Sequence, residues 1–135
     1  MATKKKVFIS YDHSEDLNYK NMLKASDANS NFEFEFDDRS PGTAINSTNA
    51  PTIKASLATM IKGATHLLVL VGAKTSTSDW VNWEISRAKE PDANLKLVAV
   101  KLDKSNTTPA GLLGAGASWA MSFTQDGIIN ALDGA

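Results

Sequence analysis

The chain has 135 residues, of which 42% are hydrophobic and 21% charged, and its formal net charge is −1. A chain of this length buries roughly two-thirds of the surface that it exposes when unfolded, so we expect a single domain over residues 1–135. The balance of 14 basic against 15 acidic residues predicts neither a nucleic-acid partner nor a membrane-surface partner. With no cysteine and only two histidines, no disulfide and no metal site are expected.

The start of the chain has three lysines at residues 4–6, followed by a short apolar run at residues 7–9. A signal peptide needs a longer apolar stretch and a cleavage site, so none is predicted. No window of the sequence approaches the roughly 20 apolar residues of a membrane helix. These patterns predict a cytoplasmic protein.

Five strands are expected along the chain. Residues 7–10, 67–71 and 95–102 are apolar runs of strand length, and the run at 67–71 lacks polar alternation, as in a strand covered on both faces. In residues 32–37 phenylalanines alternate with carboxylates, which is typical of an edge strand with one wet face. A fifth strand is expected near residues 117–123.

Helical patterns lie between and after these strands, at residues 14–28, from Pro51 to about Ala64, from a cap at Ser78 or Asp79 to about Lys89, and at 124–132. In the third helix Val81, Ile85 and Ala88 form an apolar stripe, while Trp80 and Glu84 are predicted to lie one turn apart on another face. The alternation of strands and helices predicts a three-layer α/β fold, with a parallel sheet between two layers of helices.

In an open parallel sheet, ligands bind beyond the carboxyl ends of the strands, where the strand order reverses. This rule selects residues 10–13, 37–50 and 72–79 and the start of the third helix. Glu84, with Trp80 one turn before it, is therefore the best acidic candidate. The competing interpretation is that Glu84 is solvated or pairs with Arg87, and that the tryptophans only pack. Neither a phosphate-binding loop nor a dinucleotide-binding glycine motif is present.

Two segments resemble conserved motifs of Toll/interleukin-1 receptor (TIR) domains. Residues 7–11, VFISY, followed by acidic residues, resemble the first TIR box, and residues 75–85, TSTSDWVNWEI, resemble the S-x-W-x-x-x-E-I segment. The closer resemblance is to compact prokaryotic TIR-like proteins, including ThsB-type sensor subunits of Thoeris anti-phage defence. In those proteins a similar W-V-x-x-E-I helix follows a strand ending in V-G, here residues 69–72. The resemblance runs from about residue 5 to 132, without a clear second or third box.

The resemblance implies a flavodoxin-like five-stranded parallel sheet in the order 2-1-3-4-5. It also implies cleavage of the nicotinamide–ribose bond of NAD, a substrate rather than a cofactor, to give ADP-ribose or a cyclic ADP-ribose isomer. Glu84 would be the catalytic residue, binding the ribose hydroxyls and stabilising the positive charge that develops as nicotinamide leaves. The substrate-binding residues implied by the resemblance are Ser10, Tyr11, Asp12, Asp38, Arg39, Ser40, Lys74 and Trp80.

The resemblance further implies a homo-oligomer that forms through TIR-type surfaces, and an effector protein that is reached through the nucleotide product. The alternative is a non-catalytic interaction or adaptor module, which the near-neutral charge, the long loops and an exposed face of Trp83 would permit. A third interpretation is a flavodoxin-like binder of a nucleotide or flavin, against which the missing phosphate loop argues. The sequence leaves the product isomer and the activating trigger open.

Overall fold

The computed structural model of the chain describes residues 5–12, 17–26, 34–37, 50–103 and 105–135. Within these residues five strands form a parallel sheet: β1 (Lys5–Ser10), β2 (Phe34–Asp37), β3 (His66–Val71), β4 (Lys96–Lys101) and β5 (Ser118–Ala120). Their order in the sheet is β2-β1-β3-β4-β5. The predicted fold class and strand order are therefore confirmed.

In the part of the chain that the structure describes, four α-helices occupy the predicted segments: α1 (Leu17–Ser26), α2 (Ala50–Lys62), α3 (Asp79–Ala88) and α4 (Gln125–Asp133). Two short 3-10 turns, Thr75–Thr77 and Ala110–Leu112, lie before α3 and before β5. The strand β5 has three residues and is shorter than the segment predicted for it. It ends early because the chain turns after Ala120 towards Thr124, whose hydroxyl caps α4 by accepting a hydrogen bond from the Gly127 amide.

Two hydrophobic clusters cover the two faces of the sheet. In β1 the side chains alternate between them: Val7 and Ile9 pack with α4, whereas Phe8 packs with α2 and α3. All six residues of β3 are buried. A strand covered on both faces has no wet side, which explains the unbroken apolar run in the sequence of β3.

The order of the strands fixes where a ligand-binding crevice can form. Because β1 lies between β2 and β3, the chain runs first to one side of β1 and then crosses to the other. In the register of the sheet Ser10, the last residue of β1, stands beside Val69 near the end of β3. The carboxyl ends of β1 and β3 and the start of α3 therefore share one rim, which is the topological switch point.

Candidate active site

The loop between β3 and α3 is held in place by the buried side chain of Thr75. Its hydroxyl donates a hydrogen bond to the Leu70 carbonyl (2.9 Å) and accepts one from the Gly72 amide (2.8 Å). Ser78 then caps α3, since its hydroxyl oxygen accepts a hydrogen bond from the Val81 amide at 3.4 Å. Of the two predicted caps, Ser78 is the one that the structure uses. These contacts fix the start of α3 at the rim.

Glu84, the predicted catalytic residue, is fully buried on α3. Its Oε1 accepts a hydrogen bond of 2.8 Å from the hydroxyl of Ser10, which is also fully buried and lies 74 positions away in the chain. A buried carboxylate is costly unless hydrogen-bond donors face it, and Ser10 supplies one. The structure thus brings together two of the residues that the sequence placed at this rim.

The alternative partner for Glu84, Arg87, is engaged elsewhere. The Arg87 guanidinium bonds to Glu90 (2.8 Å) and to both carboxylate oxygens of Asp92 (2.7 and 2.9 Å). These hydrogen bonds and the guanidinium charge lower the pKa of Asp92 below its usual range. The interpretation of Glu84 as a surface residue, solvated or paired with Arg87, is therefore wrong.

The buried face of α3 is wider than the predicted stripe, because it also includes Trp80 and Glu84. The prediction that these two side chains occupy a separate face is wrong. The reason is that α3 is enclosed from several sides, by α2, by β1 and β3 of the sheet, and by the 3-10 turn Ala110–Leu112.

Trp80 packs within the cluster between α3 and the sheet and is 7% exposed. Its ring meets that of Trp83 edge to face, with 5.8 Å between the centroids and 85° between the planes. Trp83 is itself half-buried against the same cluster, so part of its side chain is exposed. The role of Trp80 as a wall of the substrate pocket stays a prediction.

The other predicted substrate-binding residues are more dispersed. Tyr11 is buried in the cluster on the opposite face of the sheet from the one that packs α3. Asp12 is half-buried, and Lys74 is exposed next to the turn that Thr75 holds. The roles assigned to these three residues stay predictions. The predicted residues Asp38, Arg39 and Ser40 lie outside the described residues.

The same rim carries contacts that sequence reasoning missed. The Asn106 side-chain amide donates to the carbonyl of Val71 (2.9 Å), which is the last residue of β3. The Lys101 ammonium donates to the Asn106 carbonyl and lies over the Trp119 ring, 5.9 Å from its centroid. The segment after Leu102, in which no motif is recognisable, is thus fastened to the end of β3. The hydrogen bond between Asn106 and Val71 could not be predicted, because it joins a loop residue to a position 35 residues away and leaves no periodic pattern in the sequence.

Two further properties concern the described residues only. Among them, no group of three or more His, Cys, Asp or Glu side chains is arranged to hold a metal ion. In the same part of the chain, no helix has both the length and the apolar character that crossing a membrane requires.

In its fold the chain is similar to the TIR domains of the activated Roq1 resistosome, a complex that directly recognises the pathogen effector XopQ. The match has a TM-score of 0.50 and 15% sequence identity, and covers 76% of this chain and 61% of that one. At this identity the likeness shows the fold alone, and the chain spans less than two-thirds of its neighbour. No curated protein matches the chain in sequence.

The fold is therefore that of a TIR domain. The sequence model of the TIR-like domain of the Thoeris protein ThsB matches residues 8–107, which include both β1 with Ser10 and α3 with Glu84. The chain belongs to this family of ThsB TIR-like domains.

Proposed function

We propose that this chain cleaves the nicotinamide–ribose bond of NAD as part of antiviral defence, with Glu84 as the catalytic carboxylate. The observation that carries the proposal is the Ser10–Glu84 pair, which lies at the switch point of a TIR fold with its hydroxyl and carboxylate oxygens 2.8 Å apart. Membership of the ThsB TIR-like family and the W-x-x-x-E-I segment on α3 support the same activity.

In this mechanism Glu84 acts on the ribose that carries nicotinamide. The carboxylate accepts hydrogen bonds from the ribose hydroxyls and stabilises the positive charge that develops at C1′ as the bond to the pyridine nitrogen breaks. The bonding electron pair leaves with nicotinamide, whose ring nitrogen thereby becomes neutral. Attack of water on C1′ gives ADP-ribose, and attack by a nucleophilic atom of the same nucleotide gives a cyclic isomer. Each attack releases one proton to the solvent.

The full burial of Glu84 adds a requirement to this mechanism. A carboxylate without exposed surface contacts NAD only after the chain around it has opened. Once the substrate is inside, a site shielded from water makes the attraction between carboxylate and developing cation stronger than it is in solution. Opening and closing of this kind takes microseconds to milliseconds and often limits kcat.

The remaining predicted site residues take supporting roles in the proposal. Arg39 would meet the pyrophosphate with its two parallel donors, and Lys74 would add a second positive charge. Trp80 would wall the pocket, and Asp12, Asp38 and Ser40 would line it. Tyr11 is buried in the cluster on the opposite face of the sheet and would line the pocket only if its side chain left that cluster. The product would then act as a signal to an effector protein in the cytoplasm, and the enzyme would assemble through TIR-type surfaces.

A second candidate function is a non-catalytic adaptor that associates through its TIR surfaces. The observation in its favour is again the burial of Glu84 and Ser10, because a carboxylate enclosed in this way also serves as a purely internal hydrogen-bond partner. An adaptor would self-associate as its concentration rises, and it would leave NAD intact.

The two functions are separated by incubating concentrated wild-type protein and the Glu84→Gln variant with NAD. Chromatography follows the release of nicotinamide, and the mass of the nucleotide product distinguishes ADP-ribose from a cyclic isomer. We expect turnover in the wild type and a loss of about 100-fold or more in Glu84→Gln, since the variant removes the charge that faces the transition state. Equal rates would refute the role of Glu84. No turnover in either protein, together with self-association, would favour the adaptor.

A further inference from the structure

Ser10 occupies a position from which it cannot easily move. It is the last residue of β1 and pairs with Val69 of β3, whereas the pairing of β1 with β2 ends two residues earlier, at Phe8. Its side chain points to the same face as Phe8, which is the face covered by α3, and it is fully buried there. The backbone of the sheet therefore determines where the Ser10 hydroxyl lies.

Glu84 reaches this hydroxyl with a longer and more adjustable side chain. A glutamate carboxylate is joined to its helix through several rotatable bonds, and holding it in one conformation costs side-chain entropy. The hydrogen bond from Ser10 to Oε1 (2.8 Å) is of ordinary length for a hydroxyl donor and ties one oxygen of the carboxylate to the sheet.

We infer that Ser10 is a positioning residue for Glu84 and not a substrate contact. The inference rests on the proposed function, and it changes the role that the family resemblance implies for Ser10. Both residues are fully buried, so NAD reaches either one only after the chain has opened. They differ in their hydrogen bonding: Ser10 donates its one hydroxyl hydrogen to Glu84, whereas each carboxylate oxygen of Glu84 can accept further hydrogen bonds. Through this bond Ser10 holds the carboxylate in the orientation that the reaction requires, and NAD binding itself does not depend on Ser10.

The test compares NAD cleavage by wild type, Ser10→Cys and Ser10→Ala. Cysteine keeps the shape of serine with a weaker donor, and alanine removes the donor. We expect kcat to fall in that order, by about 10- to 100-fold in Ser10→Ala, as the loss of a hydrogen bond to a charged group implies. KM should stay within about 2-fold of the wild type, because uniform substrate binding is untouched. Ser118→Ala, which removes a hydroxyl from β5, is the matched control and should keep wild-type kinetics.

The outcomes are distinguishable. A higher KM with unchanged kcat in Ser10→Ala would make Ser10 a substrate contact and overturn the inference, and so would unchanged kinetics. If Ser10→Ala fails to fold, Ser10→Cys alone tests the inference: a lower kcat with an unchanged KM supports it, and a kcat equal to that of the wild type overturns it. If the wild type releases no nicotinamide, the proposed function falls and this inference falls with it. An active wild type with an equally active Ser10→Ala removes only the inference.

Discussion

The packing of α3 predicts that Gly111→Ala destabilises the protein. Gly111 lies in the 3-10 turn Ala110–Leu112, where an added Cβ would stand 2.7 Å from Cγ2 of Ile85, the residue after Glu84. Carbon atoms pack at about 3.5–4.0 Å, so the contact would be about 1 Å too short. Ile85 is β-branched and fully buried, and its Cγ2 cannot turn away without a strained rotamer. The turn is also fastened to α3, because Lys89 donates to the Gly111 carbonyl at 3.0 Å.

Overpacking of this kind costs about 1–3 kcal/mol of unfolding free energy. Gly63→Ala is the matched control: its added Cβ would meet the Thr59 carbonyl oxygen at an ordinary 3.6 Å. We expect the control to be neutral or more stable by about 0.4–1 kcal/mol, because alanine restricts the unfolded chain. Urea unfolding followed by circular dichroism measures both. Equal stability of Gly111→Ala and wild type would refute the close packing of the turn on α3.

Two further predictions concern the loop before α3 and the surface beyond it. Thr75→Val removes the hydroxyl that bonds to the Gly72 amide and the Leu70 carbonyl, and should lower the free energy of unfolding by about 1–3 kcal/mol, measured with urea. An unchanged free energy of unfolding would show that these two hydrogen bonds do not stabilise the loop. Because Arg87 lowers the pKa of Asp92, their pair stabilises the fold above the unfolded-state pKa of Asp92, and this contribution disappears as the pH falls through the lower folded-state pKa. In an NMR titration Arg87→Ala should raise the pKa of Asp92, and an unchanged titration would count against the pairing.

The fold was predictable because most of its elements carry a local signal. The apolar run of β3 indicates a strand covered on both faces, and all its residues are buried. In β2 Glu35 is exposed and Phe36 buried, as the alternation requires. The strand β5 carries less signal, because only three residues pair with β4 before the chain turns. A segment so short leaves little periodicity to detect.

The site was predictable in part. Chain topology indicates that the end of β1 and the start of α3 share a rim, so Ser10 and Glu84 could be placed at the same rim. The hydrogen bond between them could not be predicted, since it joins residues 74 positions apart through the packing of a helix on a sheet. The burial of Trp80 and Glu84 was not predicted, for the same reason. Helical periodicity describes one buried stripe, whereas α3 is enclosed by several elements and buries Trp80 and Glu84 as well.

The catalytic role of Glu84 is tested most directly by the rate at which Glu84→Gln and Glu90→Gln release nicotinamide from NAD, measured beside the wild type at one high protein concentration. Both variants replace a carboxylate by an amide, but Glu84 is fully buried at the rim, whereas Glu90 is exposed beyond the end of α3. If Glu84 is the catalytic carboxylate, Glu90→Gln matches the wild type and Glu84→Gln is slower by about 100-fold or more. Release by Glu84→Gln at the wild-type rate would contradict it.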